Sequence, residues 1–257
     1  MTPAINLGLG GLPGWKILQR TEARQIEALR KDSIVQRSTT YLRENIDKVR
    51  SPEALVKDYR LLSGVLSAFG LENDISNKAF IRKILESDPA DQKALVNRLS
   101  DKRYLRMAQT IGTGGTPAEL ADRLTEAFVT REHERRVGGA HEELRLAMNG
   151  RRELQQFAGR TATDRTLWYE VMGNPPLRKL MEGALGLSRS LGKLPVERQN
   201  QEFMAAAQRT FGTTSLAALA EPAQTERVIQ NYLARSQLTE SPVANRYSAA
   251  MSLLAPR

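Results

Sequence analysis

The chain has 257 residues, of which 40% are apolar and 26% charged, and 38 Lys and Arg against 29 Asp and Glu give a net charge of +9. That composition supports packed cores and excludes a disordered chain. The absence of cysteine excludes disulfides and thiolate metal sites, and no apolar run approaches the roughly 20 residues of a membrane-spanning helix.

In chain order, residues 1–14 are rich in glycine and mildly apolar, with Leu7, Leu9 and Leu12 among four glycines and two prolines. This stretch lacks a basic leader and reads as a poor secretory signal. Residues 15–48 carry Ile17, Leu18, Ile26, Leu29, Ile34, Leu42 and Ile46 in an imperfect helical stripe that weakens near Asp32-Ser33. Ser51-Pro52, Asp88-Pro89, Thr116-Pro117 and Ser241-Pro242 each place a capping side chain before a proline, which predicts helix starts. Asp88 and Thr116 add an acid three residues on, the capping-box arrangement or a near relative.

Four stripes predict core faces: Leu61, Leu62, Val65, Leu66 and Phe69; Phe80, Ile81, Ile84 and Leu85; Leu120, Leu124, Ala127 and Phe128; and Val228, Ile229, Tyr232 and Leu233. A short helix over 243–254 would carry Val243, Tyr247, Met251 and Leu254 on one side, a stripe too short to stand alone in water. No segment alternates long enough to predict a strand. The expectation is an all-α protein, a multi-helix bundle of roughly ten to twelve helices.

Ala68-Phe69-Gly70-Leu71 is echoed 116 positions later by Ala184-Leu185-Gly186-Leu187, with Leu61 meeting Leu177 in the same frame. Gly followed by an apolar residue is a helix C-terminal stop. Two such stops in one frame predict an internally duplicated helical unit. The division expected is an N-terminal segment with a long helix over 1–48, a first repeat over 49–150, a shorter second repeat over 151–240 and a C-terminal helix over 241–257. The helix of Phe80, Ile81 and Ile84 is the element expected to be missing from the second copy.

Signals for catalysis are sparse. His133 and His141 stand among Glu132, Glu134, Glu142 and Glu143 and read as surface residues; their separation along a helix is too great for both to hold one metal. Gly8-x-Gly10-Gly11 and Gly112-x-Gly114-Gly115 lack the ending of a phosphate loop and follow no strand. Lys57-Asp58-Tyr59-Arg60 reads as part of the helix of the first repeat. Asp58 and Arg60 do not face each other there, so their partners lie elsewhere, and pairing between the repeats is expected rather than catalysis. No catalytic residue, metal or cofactor is assigned. The basic residues are dispersed, so specific nucleic-acid binding is not expected.

Leu12-Pro13-Gly14-Trp15-Lys16, Tyr41-Leu42-Arg43-Glu44-Asn45-Ile46, Lys57-Asp58-Tyr59-Arg60-Leu61-Leu62, Ala79-Phe80-Ile81-Arg82-Lys83-Ile84, Asn97-Arg98-Leu99-Ser100-Asp101-Lys102-Arg103-Tyr104 and Met172-Gly173-Asn174-Pro175-Pro176-Leu177-Arg178 stand in this order. In these words the chain resembles a family of uncharacterised alphaproteobacterial proteins of unknown function encoded in flagellar gene clusters. The resemblance implies a flagellar or motility context and carries no catalytic residues with it. The reading that results is a non-enzymatic, flagellum-associated interaction or structural protein. It is cytoplasmic, or exported to the flagellum without a cleaved signal. Its partner is a protein, with a flagellar component as the candidate, and it has scope for self-association and no membrane insertion. Leu7, Leu9, Leu12, Val243, Tyr247, Met251 and Leu254 are the candidate contacts. The alternative is a basic nucleic-acid-binding regulator.

Overall fold

The structure, a computed structural model, describes residues 4–112 and 115–240. Among the described residues it is all-α: fifteen α-helices and two short 3₁₀ turns, with no strand. In chain order the helices are α1 (Gly11–Arg30), α2 (Ser33–Glu44), α3 (Ile46–Val49), α4 (Pro52–Lys57), α5 (Tyr59–Phe69), α6 (Lys78–Leu85), α7 (Leu95–Arg98), α8 (Lys102–Gly112), α9 (Pro117–Gly138), α10 (Glu142–Gln155), α11 (Asp164–Gly173), α12 (Pro175–Leu185), α13 (Val196–Phe211), α14 (Leu216–Leu219) and α15 (Pro222–Glu240). Several are single turns, which explains why the count exceeds the ten to twelve expected from periodicity. A four-residue helix shows no repeat of a 3.6-residue pattern.

Internal contacts divide the chain into two units. The first consists of the described residues of Met1–Ile5 and Gln19–Gly139, the second of Asn6–Leu18 and the described residues of Ala140–Arg257. Helix α1 therefore contributes its first turns to the second unit and its later turns to the first.

In the first unit, α5 is the central element. Leu61, Leu62, Val65 and Leu66 are fully buried against Leu120 and Leu124 of α9, with Ile81 and Ile84 of α6 in the same core. Phe80 meets the Tyr104 ring edge-on at 5.3 Å. Asp58 does not lie inside a helix. It ends α4 and N-caps α5 with an extended backbone, and its carboxylate accepts the Leu61 N–H at 3.0 Å. A short Asp competes with helix for its neighbours' N–H groups, so one residue divides what reads in sequence as a single helix. Thr116 and Glu119 form the expected capping box at the start of α9. Asp88-Pro89, by contrast, starts no helix. Asp88 accepts the Ala90 N–H and Asp91 the Lys93 N–H, two successive Asx turns. The Ser241-Pro242 start lies outside the described residues.

In the second unit, α12 is buried through Leu177, Leu180 and Met181, with Val228, Ile229 and Leu233 of α15 also buried. Trp168 of α11 stacks on Phe203 of α13 at 5.7 Å and donates its indole N–H to Thr214 O at 2.8 Å. Trp15 is 1% exposed and donates to the Glu226 carboxylate at 3.1 Å. After its central helix the first unit has a 3₁₀ turn at Glu72–Asp74 and then α6, α7 and α8; the second has a 3₁₀ turn at Arg189–Lys193 followed by α13.

The two predicted stops are both formed. Gly70 and Gly186 are left-handed, with φ of 69° and 66°. In each the following leucine N–H reaches back into the helix: Leu71 to Leu66 O and Leu187 to Glu182 O, both at 2.9 Å. The entries correspond too: Asn174 ends α11 and N-caps α12 through the Leu177 N–H, as Asp58 does for α5. An arginine covers each stop, Arg131 over Gly70 and Arg235 over Gly186.

Candidate docking groove

The first unit carries an open groove of about 290 Å³ between α2, α5 and α9. Helix α2 contributes Ile34, Val35 and Ser38. Helix α5 contributes Tyr59, Arg60, Ser63, Gly64 and Ser67, residues that share one side of the helix. Helix α9 adds Phe128, Glu132 and Arg135. At Gly64 the two helices α2 and α5 approach closely: a Cβ there would stand 3.1 Å from Leu42 Cδ2. Ile34 is 41% exposed and Tyr59 64% exposed, two large side chains with apolar bodies on the lips of one groove. Single exposed apolar residues are ordinary; two converging on a concavity are the informative case.

The electrostatics of the rim are unequal. Glu132 accepts from Arg135 at 2.6 Å and from Arg136 Nε at 2.8 Å, so Arg135 is compensated. Arg136, 6% exposed, also donates to Asp32 at 3.1 Å. That guanidinium, with the Val35 and Ile34 N–H groups at the start of α2, lowers the pKa of the Asp32 carboxyl to about 2. Arg60 lies 4.1 Å above the Tyr41 ring and donates to Arg37 O at 2.8 Å. Arg37 donates to Ser33 O at 3.2 Å. Neither has a carboxylate partner among the described residues. Both border a second, shallower depression along the outer face of α2, which Glu44 also lines.

Partners for Asp58 and Arg60 do lie elsewhere, but within the first unit rather than in the other repeat. The Tyr41 hydroxyl donates to Asp58 at 2.7 Å and Lys48 Nζ stands 3.9 Å away. Burial pushes the Asp58 carboxyl up, but the Leu61 N–H, the Tyr41 hydroxyl and Lys48 together leave it below the usual carboxylate range.

The histidines are not the surface residues expected. His133 is fully buried, its Nε2 2.7 Å from Gln25 Oε1. Its neighbours Glu132 and Glu134 are buried too, held by Arg135 and Arg136 and by Arg131. Acids flanking a histidine look solvated in sequence, yet each is neutralised by an arginine on the same helix. His141 precedes α10 in the second unit and is half-buried, with Nδ1 3.5 Å from Glu143 Oε1. That carboxylate also accepts the Gly11 N–H at 3.1 Å. Among the described residues no three His, Asp or Glu are grouped to hold a metal. No helix among them is long and apolar enough to cross a membrane.

Of the residues singled out in sequence, Leu7 and Leu12 are half-buried in the second unit and Leu9 is 55% exposed. Leu12 belongs to α1, which starts at Gly11, so the glycine-rich segment is partly helix. Val243, Tyr247, Met251 and Leu254 lie outside the described residues. Ile34, read as part of an imperfect helical stripe, lines the groove. The faint signal for the groove was the set of small residues Ser63, Gly64 and Ser67 on one side of an otherwise leucine-rich helix.

No curated protein matches the sequence. The fold is similar to the X-ray crystal structure of protein AGR_C_984 from Agrobacterium tumefaciens, with a TM-score of 0.72, 22% identity, and coverage of 89% of this chain and 94% of that one. A family model described as "Protein of unknown function (DUF1217)" matches residues 68–224. That match takes in the end of α5, all of α6 to α14 and the start of α15, so the chain belongs to the DUF1217 family of proteins of unknown function.

Proposed function

We propose that the protein is a non-enzymatic interaction or structural protein associated with the flagellum, and that the α2–α5–α9 groove is where it engages a protein partner. The observation that carries the reading is the convergence of exposed Ile34 and Tyr59 on one open groove. The correspondence of caps, stops and covering arginines in the two units supports an internal duplication, a scaffold built twice from one helical plan. The flagellar context rests on the resemblance in sequence, an associational warrant. In that context the protein resides in the cytoplasm or is exported to the flagellum without a cleaved signal.

The test is site-specific photo-crosslinking in a motile host. A benzophenone side chain replaces Ser63 in the groove, with Lys83 on α6, outside the groove, as control. A discrete adduct with a flagellar component at Ser63 alone is the expected result. An adduct with nucleic acid would favour the regulator reading, and equal labelling from both positions would remove the groove from consideration.

A further inference from the structure

Resting on the reading of the groove as a docking surface, we infer that its occupant is an amphipathic helix of a protein partner, with carboxylates flanking its apolar stripe on one side. Shape gives the first argument. From Tyr59 to Ser67 the groove follows about 12 Å of the α5 axis, two turns of helix. An occupying helix therefore presents three apolar anchors at i, i+4 and i+7, the usual reading of helix-in-groove recognition. The floor of Ser63, Gly64 and Ser67 keeps side-chain bulk low along that line, while Ile34 and Tyr59 stand on its lips.

Charge gives the second argument. The rim acid Glu132 is already engaged by Arg135 and Arg136. Arg60 and Arg37 donate to backbone carbonyls, and among the described residues Glu44 is the one acid lining the depression they border. Stacking on Tyr41 holds the Arg60 guanidinium in place, and a positioned guanidinium pairs a carboxylate in two-point geometry. The groove thus has a floor of small residues between apolar lips, with Arg60 on its rim and Arg37 in the adjoining depression as a cationic flank, which selects acids on one edge of the helix that fills it.

The third argument compares the two units internally. Counting back three residues from the stop and from its covering arginine gives Gly183 and Tyr232 in the second unit, and Ser67 and Phe128 in the first. In the second unit Tyr232 packs on Gly183, its Cδ2 2.6 Å from where a Cβ would stand, and Tyr232 is 6% exposed. In the first unit Phe128 is only partly buried, and it lines the groove together with Ser67. The same helical frame packs shut in one unit, so the frame does not force the opening in the other.

The experiment titrates the full chain into labelled helical peptides of roughly 16 residues, long enough to form a helix on binding. Both carry Leu at i, i+4 and i+7; one has Glu along a single flank, the other Lys at the same positions. The Glu peptide is expected to bind about tenfold more tightly at low salt, with the preference shrinking as salt is added. The double variant Arg37→Glu, Arg60→Glu reverses the preference. Ser63→Trp, which fills the channel, abolishes binding of both; Tyr59→Ser, at an exposed position, weakens both without touching the fold. An unchanged thermal transition in each variant confirms that folding is intact. Equal affinities for the two peptides, both lost in Ser63→Trp, would overturn the acidic helix and leave the groove standing. Binding indifferent to both Ser63→Trp and Tyr59→Ser would overturn the docking surface itself. Displacement of the Glu peptide by a short DNA duplex would overturn the proposal in favour of a nucleic-acid ligand.

Discussion

Three glycines separate backbone strain from side-chain crowding. Gly212 is left-handed at φ 77°, and an added Cβ would have nothing within 4 Å, whereas at Gly70 the Arg131 guanidinium carbon would lie 3.0 Å from it. Gly212→Ala is therefore expected to cost about 1 kcal/mol through φ alone. Gly70→Ala should cost more, because Arg131 must also give up its place beside Phe69 O; denaturant titration of both variants gives the order. Gly186 beneath Arg235 belongs with Gly70. A second residue-scale test is Asp32→Asn. Asparagine keeps an N-cap oxygen for Ile34 and Val35 but loses the charge facing Arg136. The folded value of about 2 lies below the unfolded value of ~3.9. The charge therefore stabilises fully above the unfolded value and ceases to as pH falls through the folded one. Wild type should exceed the variant in stability at neutral pH, with the gap closing between about pH 4 and pH 2 in a urea-denaturation series.

At the level of the element, α5 depends on one carboxylate at its entry. Asp58 caps the helix and accepts the Tyr41 hydroxyl, tying α2 to α5 beside the groove. Asp58→Ala removes both contacts and is expected to cost about 2 kcal/mol, from a cap of ~1 and a side-chain hydrogen bond of ~1. Tyr41→Phe removes only the second. The double variant should fall short of the sum of the two, a coupling that a double-mutant cycle measures. Helix α9 shows what sequence spacing conceals. Its apolar stripe is legible from Leu120 to Phe128, but the following turns bury Glu132, His133, Glu134 and Arg136 alongside Val129 and Val137. Buried charges of this kind are tolerable because each meets an opposite charge, and the partner Asp32 comes from the N-cap of another helix. No local pattern announces that.

For the whole molecule, the charge of +9 predicts general attraction to polyanions. Many of the 38 basic side chains are taken up in pairs such as Arg30–Glu126, Arg43–Asp122, Arg160–Glu170 and Arg178–Glu182. Nucleic-acid binding is therefore expected to be weak, independent of sequence and steeply reduced by salt; fluorescence anisotropy with unrelated duplexes at two ionic strengths checks it. Local chemistry determined a great deal of this protein without a structure. The all-α class, the cap at Thr116, the stops at Gly70 and Gly186 and the buried faces of α5 and α15 all follow from interactions between residues a few positions apart, which a linear reading contains. The division of α1 between two units, the burial of His133 and the exposure of Ile34 were decided only by tertiary structure. So was the groove, which exists because α2, α5 and α9, far apart in sequence, converge around small residues without filling the space between them.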